Sequence, residues 1–207
     1  MPLRRIILFA VLSVSAIAII FGLSTCTTKS IDPPATELPS PFVLHVPDDY
    51  HFLQIDPEWA GAEMGSSGGT LAEYGCTLTS VAMAAANLGV DTDPGSLNAA
   101  LNAVDGYTER GWLRWAAIEQ VTGGALRVTV YGDPSDQQID ECLQDGDYPV
   151  VKFLLDDRVQ HWALVIGKTE QDWVVRDPLD DTRTLRPLGD LTSGYESVRC
   201  IRSAEGG

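Results

Sequence analysis

The hydrophobic period of this chain changes along its length, and that change limits the folds open to it. Leu78, Val81, Ala82, Ala85 and Leu88 recur at helical spacing within a segment, 76–88, built of strong helix formers and closed by Gly89. Segments 94–104, 112–121 and 135–143 also read as helices. Asp93 and Pro94 supply a cap and a first-turn proline to the first of these, Gly123-Gly124 ends the second, and Ser135 is placed to cap the third. The second half is instead dominated by short β-branched and aromatic runs at 125–131, 149–155, 161–168, 173–177 and 195–201. Only Thr169-Glu170-Gln171-Asp172 separates 161–168 from 173–177, which predicts an antiparallel hairpin. Helices first and a meander of strands afterwards predict an α+β domain, with helices packed on one face of an antiparallel sheet.

A different composition precedes this domain. Arg4 and Arg5 are followed by an uncharged run from Ile6 to Leu23, and the segment 1–26 reads as a signal peptide or N-terminal membrane anchor. Leu23-Ser24-Thr25-Cys26 offers a second reading, a lipoprotein cleavage site with lipid on Cys26. Either way the domain lies outside the cytoplasm, tethered to a membrane; secretion in soluble form is the third choice. Residues 27–41 contain Pro33, Pro34, Pro39 and Pro41 among Thr, Ser and Glu, and read as an extended Pro-rich linker to a domain at 42–203. The formal net charge is −15 overall, and without Arg4 and Arg5 the remaining 12 basic and 29 acidic residues give −17. A surface of that sign repels nucleic acid, which is excluded as a partner.

Four cysteines and three histidines carry the candidate chemistry. No Cys/His spacing resembles a zinc site, Asp180 and Asp181 match no calcium loop, and no metal or cofactor is expected. Cys142 and Cys200 lie in apolar-periodic surroundings and read as two buried thiols, with a bridge between them as the alternative. His45 and His51 precede the first convincing element and read as surface residues. His161 opens the apolar run His161-Trp162-Ala163-Leu164-Val165-Ile166-Gly167, where a titratable ring is either buried with a partner or placed for chemistry. Cys76 falls at the first turn of its helix, directly after Gly75, where backbone dipoles and free N–H groups favour a thiolate over a thiol. The start of one hairpin strand lies beside the end of its partner, so the hairpin brings His161 and Asp177 to one edge of the sheet. A thiol, an imidazole and a carboxylate that orients the imidazole are the components of nucleophilic acyl transfer. Trp112 and Trp115, at helical spacing, read as core residues, though one could line a groove.

Four stretches carry a family likeness in order: Gln54-Ile55-Asp56-Pro57-Glu58-Trp59, Tyr74-Gly75-Cys76-Thr77-Leu78-Thr79-Ser80-Val81-Ala82-Met83, His161-Trp162-Ala163-Leu164-Val165-Ile166-Gly167 and Arg176-Asp177-Pro178. Together they resemble the bacteriocin-processing-peptidase-like family of papain-like cysteine peptidases. The resemblance implies a papain-like fold, with Cys76 as nucleophile, His161 as general base and acid, Asp177 orienting it and Gln54 helping to form the oxyanion hole. Gln54 lies 22 positions before Cys76, across a Gly/Ser-rich stretch. The function implied is a membrane-tethered cysteine peptidase or amidase acting on a peptide or protein substrate through an acyl-thioester. Two alternatives stay open: an acyltransferase or crosslinking enzyme with the same thioester chemistry, and a non-enzymatic binding module on a peptidase-like scaffold.

Overall fold

A computed structural model of the protein describes residues 42–204. The segment 1–26 read as a signal or anchor, and the linker 27–41, lie outside the described residues. The elements run in the order β1 (Leu44–His45), α1 (Leu71–Tyr74), α2 (Cys76–Asn87), α3 (Pro94–Ala103), α4 (Trp115–Val121), β2 (Leu126–Val130), α5 (Asp136–Gln144), β3 (Tyr148–Leu155), β4 (Val159–Lys168), β5 (Trp173–Arg176), β6 (Arg186–Pro187) and β7 (Tyr195–Ser203). The strands form one antiparallel sheet of seven strands in the order β2-β7-β3-β4-β5-β6, with β1 paired to β4 beyond the end of β3.

Local chemistry explains most boundaries. Asp93 accepts from the Ser96 amide at 2.8 Å and caps α3, with Pro94 in its first turn. Ser135 and Gln138 form a capping box on α5. The hairpin is present: β4 and β5 pair from Leu164 opposite Arg176 to Lys168 opposite Trp173, with a bulge between Val165 and Gly167. Gly167 is required by close approach, since a Cβ there would lie 2.6 Å from the Phe42 ring and 2.8 Å from the Leu44 carbonyl oxygen.

Helix α2 packs on β3, β4 and β7, burying every residue from Leu78 to Ala86, and α5 packs on β1, β3, β4 and β7. The run of small alanines in α2 allows this close approach to the sheet.

Three expectations need correction. Helices on a single face of the sheet do not account for β4, which is buried at every position from His161 to Gly167; successive strand residues point to opposite faces, so both faces are covered. The predicted helix 112–121 begins only at Trp115. Residues 107–113 instead form a tight loop in which Tyr107 bridges to Leu113 and the Thr108 amide donates to the Trp112 carbonyl. Cys142 and Cys200 are bridged, not free: α5 and β7 bring their Cα atoms to 5.9 Å, within bonding range.

Candidate active site

Cys76 is the first residue of α2, and Gly75 joins α1 to α2 at that point. The Gly75 amide donates to the Leu71 carbonyl at 2.8 Å, and the Thr79 amide donates to the Gly75 carbonyl at 2.8 Å, so the two helices almost run together. A Cβ on Gly75 would stand 2.3 Å from the Leu71 carbonyl oxygen, a distance no side chain tolerates. Its backbone is ordinary right-handed helix, so steric clearance, not a positive φ, requires glycine before the thiol. Cys76 is half-buried and is the free cysteine among the described residues.

His161 is 3% exposed, and its Nε2 lies 2.8 Å from Oδ1 of Asp177. Phe153, directly opposite on β3, holds the ring edge-on with centroids 5.4 Å apart. The Leu179 amide donates to the same Asp177 oxygen at 2.9 Å, fixing the carboxylate just beyond the end of β5. With Nε2 engaged by Asp177, the other ring nitrogen is left free of that bond, and Cys76 is close enough to act on the charge of the ring. Burial works against a charged imidazole, but the hydrogen bonds to Asp177 and Cys76 and the charges of both outweigh it and hold His161 up at about 9. Burial likewise pushes the Asp177 carboxyl up, and the bond and charge of His161, the Leu179 amide and Arg186 outweigh it and hold the group below its ordinary value.

Gln54 is buried, and its Nε2 donates at 2.9 Å to the carbonyl of Ala72, one helical turn before Cys76. Its own amide donates to the Pro178 carbonyl at 3.0 Å, next to Asp177. The 22-residue separation is thus closed in space: Gln54 touches both the helix junction that carries Cys76 and the turn that carries Asp177. Gln54 Oε1 has no hydrogen-bond partner among the described residues.

A cleft of about 520 Å³ opens beside Cys76. Trp112, Trp115 and Trp162 line it, together with Lys152 and Arg199. Trp112, read as core, is 55% exposed, because the loop before α4 carries it out to the rim. Trp59 packs edge-on against Phe52 and is not among the residues that line this cleft. Arg199 was not singled out from the sequence, yet a signal existed: it interrupts the apolar run of a central strand between Val198 and Cys200. His51, expected at the surface, is half-buried, and burial together with Arg176 and Arg183 keeps its pKa below the ordinary histidine value. It borders a separate cavity of about 380 Å³, which also contains the buried Asp48–Arg176 ion pair.

No protein-family profile matches the chain, and no curated protein matches it either. Among solved structures, the chain is similar to a protein from Bacillus anthracis assigned to the C39-like peptidases. The identity is 13% and the TM-score 0.52, over 77% of this chain and 98% of that one. At that identity the likeness establishes a shared mixed α/β fold with an antiparallel sheet.

Proposed function

We propose that the described domain is a papain-like cysteine peptidase or amidase in which Cys76 attacks the substrate carbonyl. The single observation that carries this reading is the buried His161–Asp177 contact at 2.8 Å, with Cys76 beside the same ring at a helix start. Asp177 fixes the ring so that one nitrogen faces the thiol. Because the proton rests on His161 up to about pH 9, the ring can deliver it to the leaving amine as the acyl-thioester forms. Gln54 Nε2 carries two protons, of which Ala72 takes one; the second is available to the oxyanion, a donor of a kind worth ~3–4 kcal/mol. Water then releases the acyl group. The fold shared with the Bacillus anthracis protein supports the class of activity.

We place the domain outside the cytoplasm, tethered by its N-terminal segment. The uncharged run from Ile6 to Leu23 and the Cys142–Cys200 bridge, which persists in oxidising compartments, both favour that location.

The test is the iodoacetamide alkylation rate of Cys76 against pH, followed by mass spectrometry of the Cys76 peptide. In the wild type the rate is expected to be nearly flat between about pH 6 and 8, where an ordinary thiol gains about tenfold per unit. His161→Ala is expected to restore that climb. A wild-type rate that climbs like an ordinary thiol's and ignores His161 would overturn the nucleophile–base assignment and favour the binding module.

A further inference from the structure

The cleft beside Cys76 contains a cation, Arg199, that forms no ion pair among the described residues, and we propose that it binds a carboxylate of the substrate. This rests on the peptidase reading and names what that site selects. The Arg199 guanidinium carbon lies 5.3 Å from the centre of the Trp115 ring and 5.7 Å from that of Trp162, and the two rings are themselves 5.3 Å apart. Nη1 donates to the Val198 carbonyl at 2.7 Å, while the buried Nε has no hydrogen-bond partner among the described residues. No carboxylate among the described residues forms an ion pair with Arg199.

The other cations of the domain give that absence its meaning. Arg114, Arg127, Lys152, Lys168, Arg176 and Arg202 each face an acidic partner, whereas Arg110, Arg158 and Arg183, all exposed, and the half-buried Arg186, outside the cleft, form no ion pair among the described residues. In a chain with 29 acidic residues, a partly buried arginine is not left unpaired for lack of carboxylates. Lys152, the other cation lining the cleft, is neutralised by Glu196 at 3.0 Å. Glu73, the acid lining the cleft, accepts from the amide and hydroxyl of Thr70 at 3.0 and 3.1 Å. Stacking on two indoles offsets part of the desolvation of the Arg199 charge. Both rings lie on one side of the guanidinium, since their centres are as close to each other as to its carbon, and its remaining N–H groups offer a fork that matches a carboxylate. Arg110 repeats the arrangement at the rim, 5.2 Å over the Trp112 ring. The carboxylate is supplied either by an Asp or Glu side chain near the scissile bond or by the terminal carboxylate of a short peptide. Both present the same group.

The experiment measures binding of acetylated hexapeptides to the full-length Cys76→Ala protein. Each position is fixed in turn as Glu or Gln, and each peptide is made as the free acid and the terminal amide. A preference for Glu over Gln at one position, roughly ten- to a hundredfold in Kd, assigns the side-chain carboxylate. The same preference for free acid over amide, with no positional effect, assigns the terminal one. Arg199→Met is expected to abolish the preference. Should the methionine variant lose its fold by circular dichroism, Arg199→Lys serves in its place; it keeps the charge without the fork and is expected to weaken the preference severalfold. Equal binding of all four peptide types, or a preference unchanged in the folded Arg199 variant, overturns the proposal. Failure of the peptidase reading is separately visible: Cys76 would alkylate as an ordinary thiol while acidic peptides still bound through Arg199.

Discussion

At the scale of single residues, the site depends on a charged ring held where charge is unfavourable. His161 is raised to about 9 and Asp177 lowered, and their pH dependences have opposite signs. The stabilisation from charged His161 is complete below its ordinary value of 6.5 and is lost as pH rises through about 9. That from Asp177 is present above its ordinary value of 3.8 and is lost as pH falls through its lower folded value. The two overlap fully between 3.8 and 6.5, and maximal stability of the pair is expected there. Activity is expected to follow the protonated ring, so kcat/KM falls on the alkaline side near pH 9. Asp177→Asn removes the largest influence holding the proton on His161. It is expected to move that alkaline limb toward neutral pH and to lower kcat/KM roughly ten- to a hundredfold, within the ~10²–10⁴ that positioned acid–base groups supply. A pH–rate profile of the variant checks both.

Elements position these residues, and here the sequence was informative for a definite reason. Cys76, His161 and Asp177 could be picked out as candidates because local chemistry marks each: a glycine before a helix, a polar ring that opens the buried apolar run of β4 two residues inside the strand, an Asp-Pro just past a strand end. The paired register of β4 and β5 then does what hairpin geometry requires. Arg199 and the Asp48–Arg176 pair were not readable, because their partners lie far away in sequence and only the assembled sheet brings them together. Nor was the Cys142–Cys200 bridge, since apolar periodicity gives the same signal for a buried thiol and a buried disulfide. The α1–α2 junction offers a test at this scale. Gly75→Ala places a methyl group against the Leu71 carbonyl and must shift one helix against the other. The expected stability cost is about 1–3 kcal/mol by urea unfolding. The loss of Cys76 alkylation rate is expected to be larger, about a hundredfold, because a displacement of ~1 Å is enough to misalign a nucleophile.

On the scale of the whole molecule, long-range ties hold the ends of the site together. Arg176, immediately before Asp177, pairs with Asp48, 128 residues earlier, and also donates to the Arg183 carbonyl. Both side chains are largely buried, so Asp48→Asn leaves a cation without its counter-charge. It is expected to cost about 3–5 kcal/mol in urea unfolding at neutral pH. Double replacement by apolar residues of similar volume is expected to recover most of that loss. The strand order has a consequence for the life of the protein. β7 is the last described strand, yet it sits inside the sheet, one strand from its edge, between β2 and β3, and supplies both Arg199 and half of the disulfide. A nascent chain that has already emerged with Cys76, His161 and Asp177 still lacks one wall of its cleft and leaves β3 with an open edge. During synthesis, therefore, Cys76 is translated early but the groove beside it is finished late, so the order in which the chain is made delays the moment at which anything can be held against that thiol.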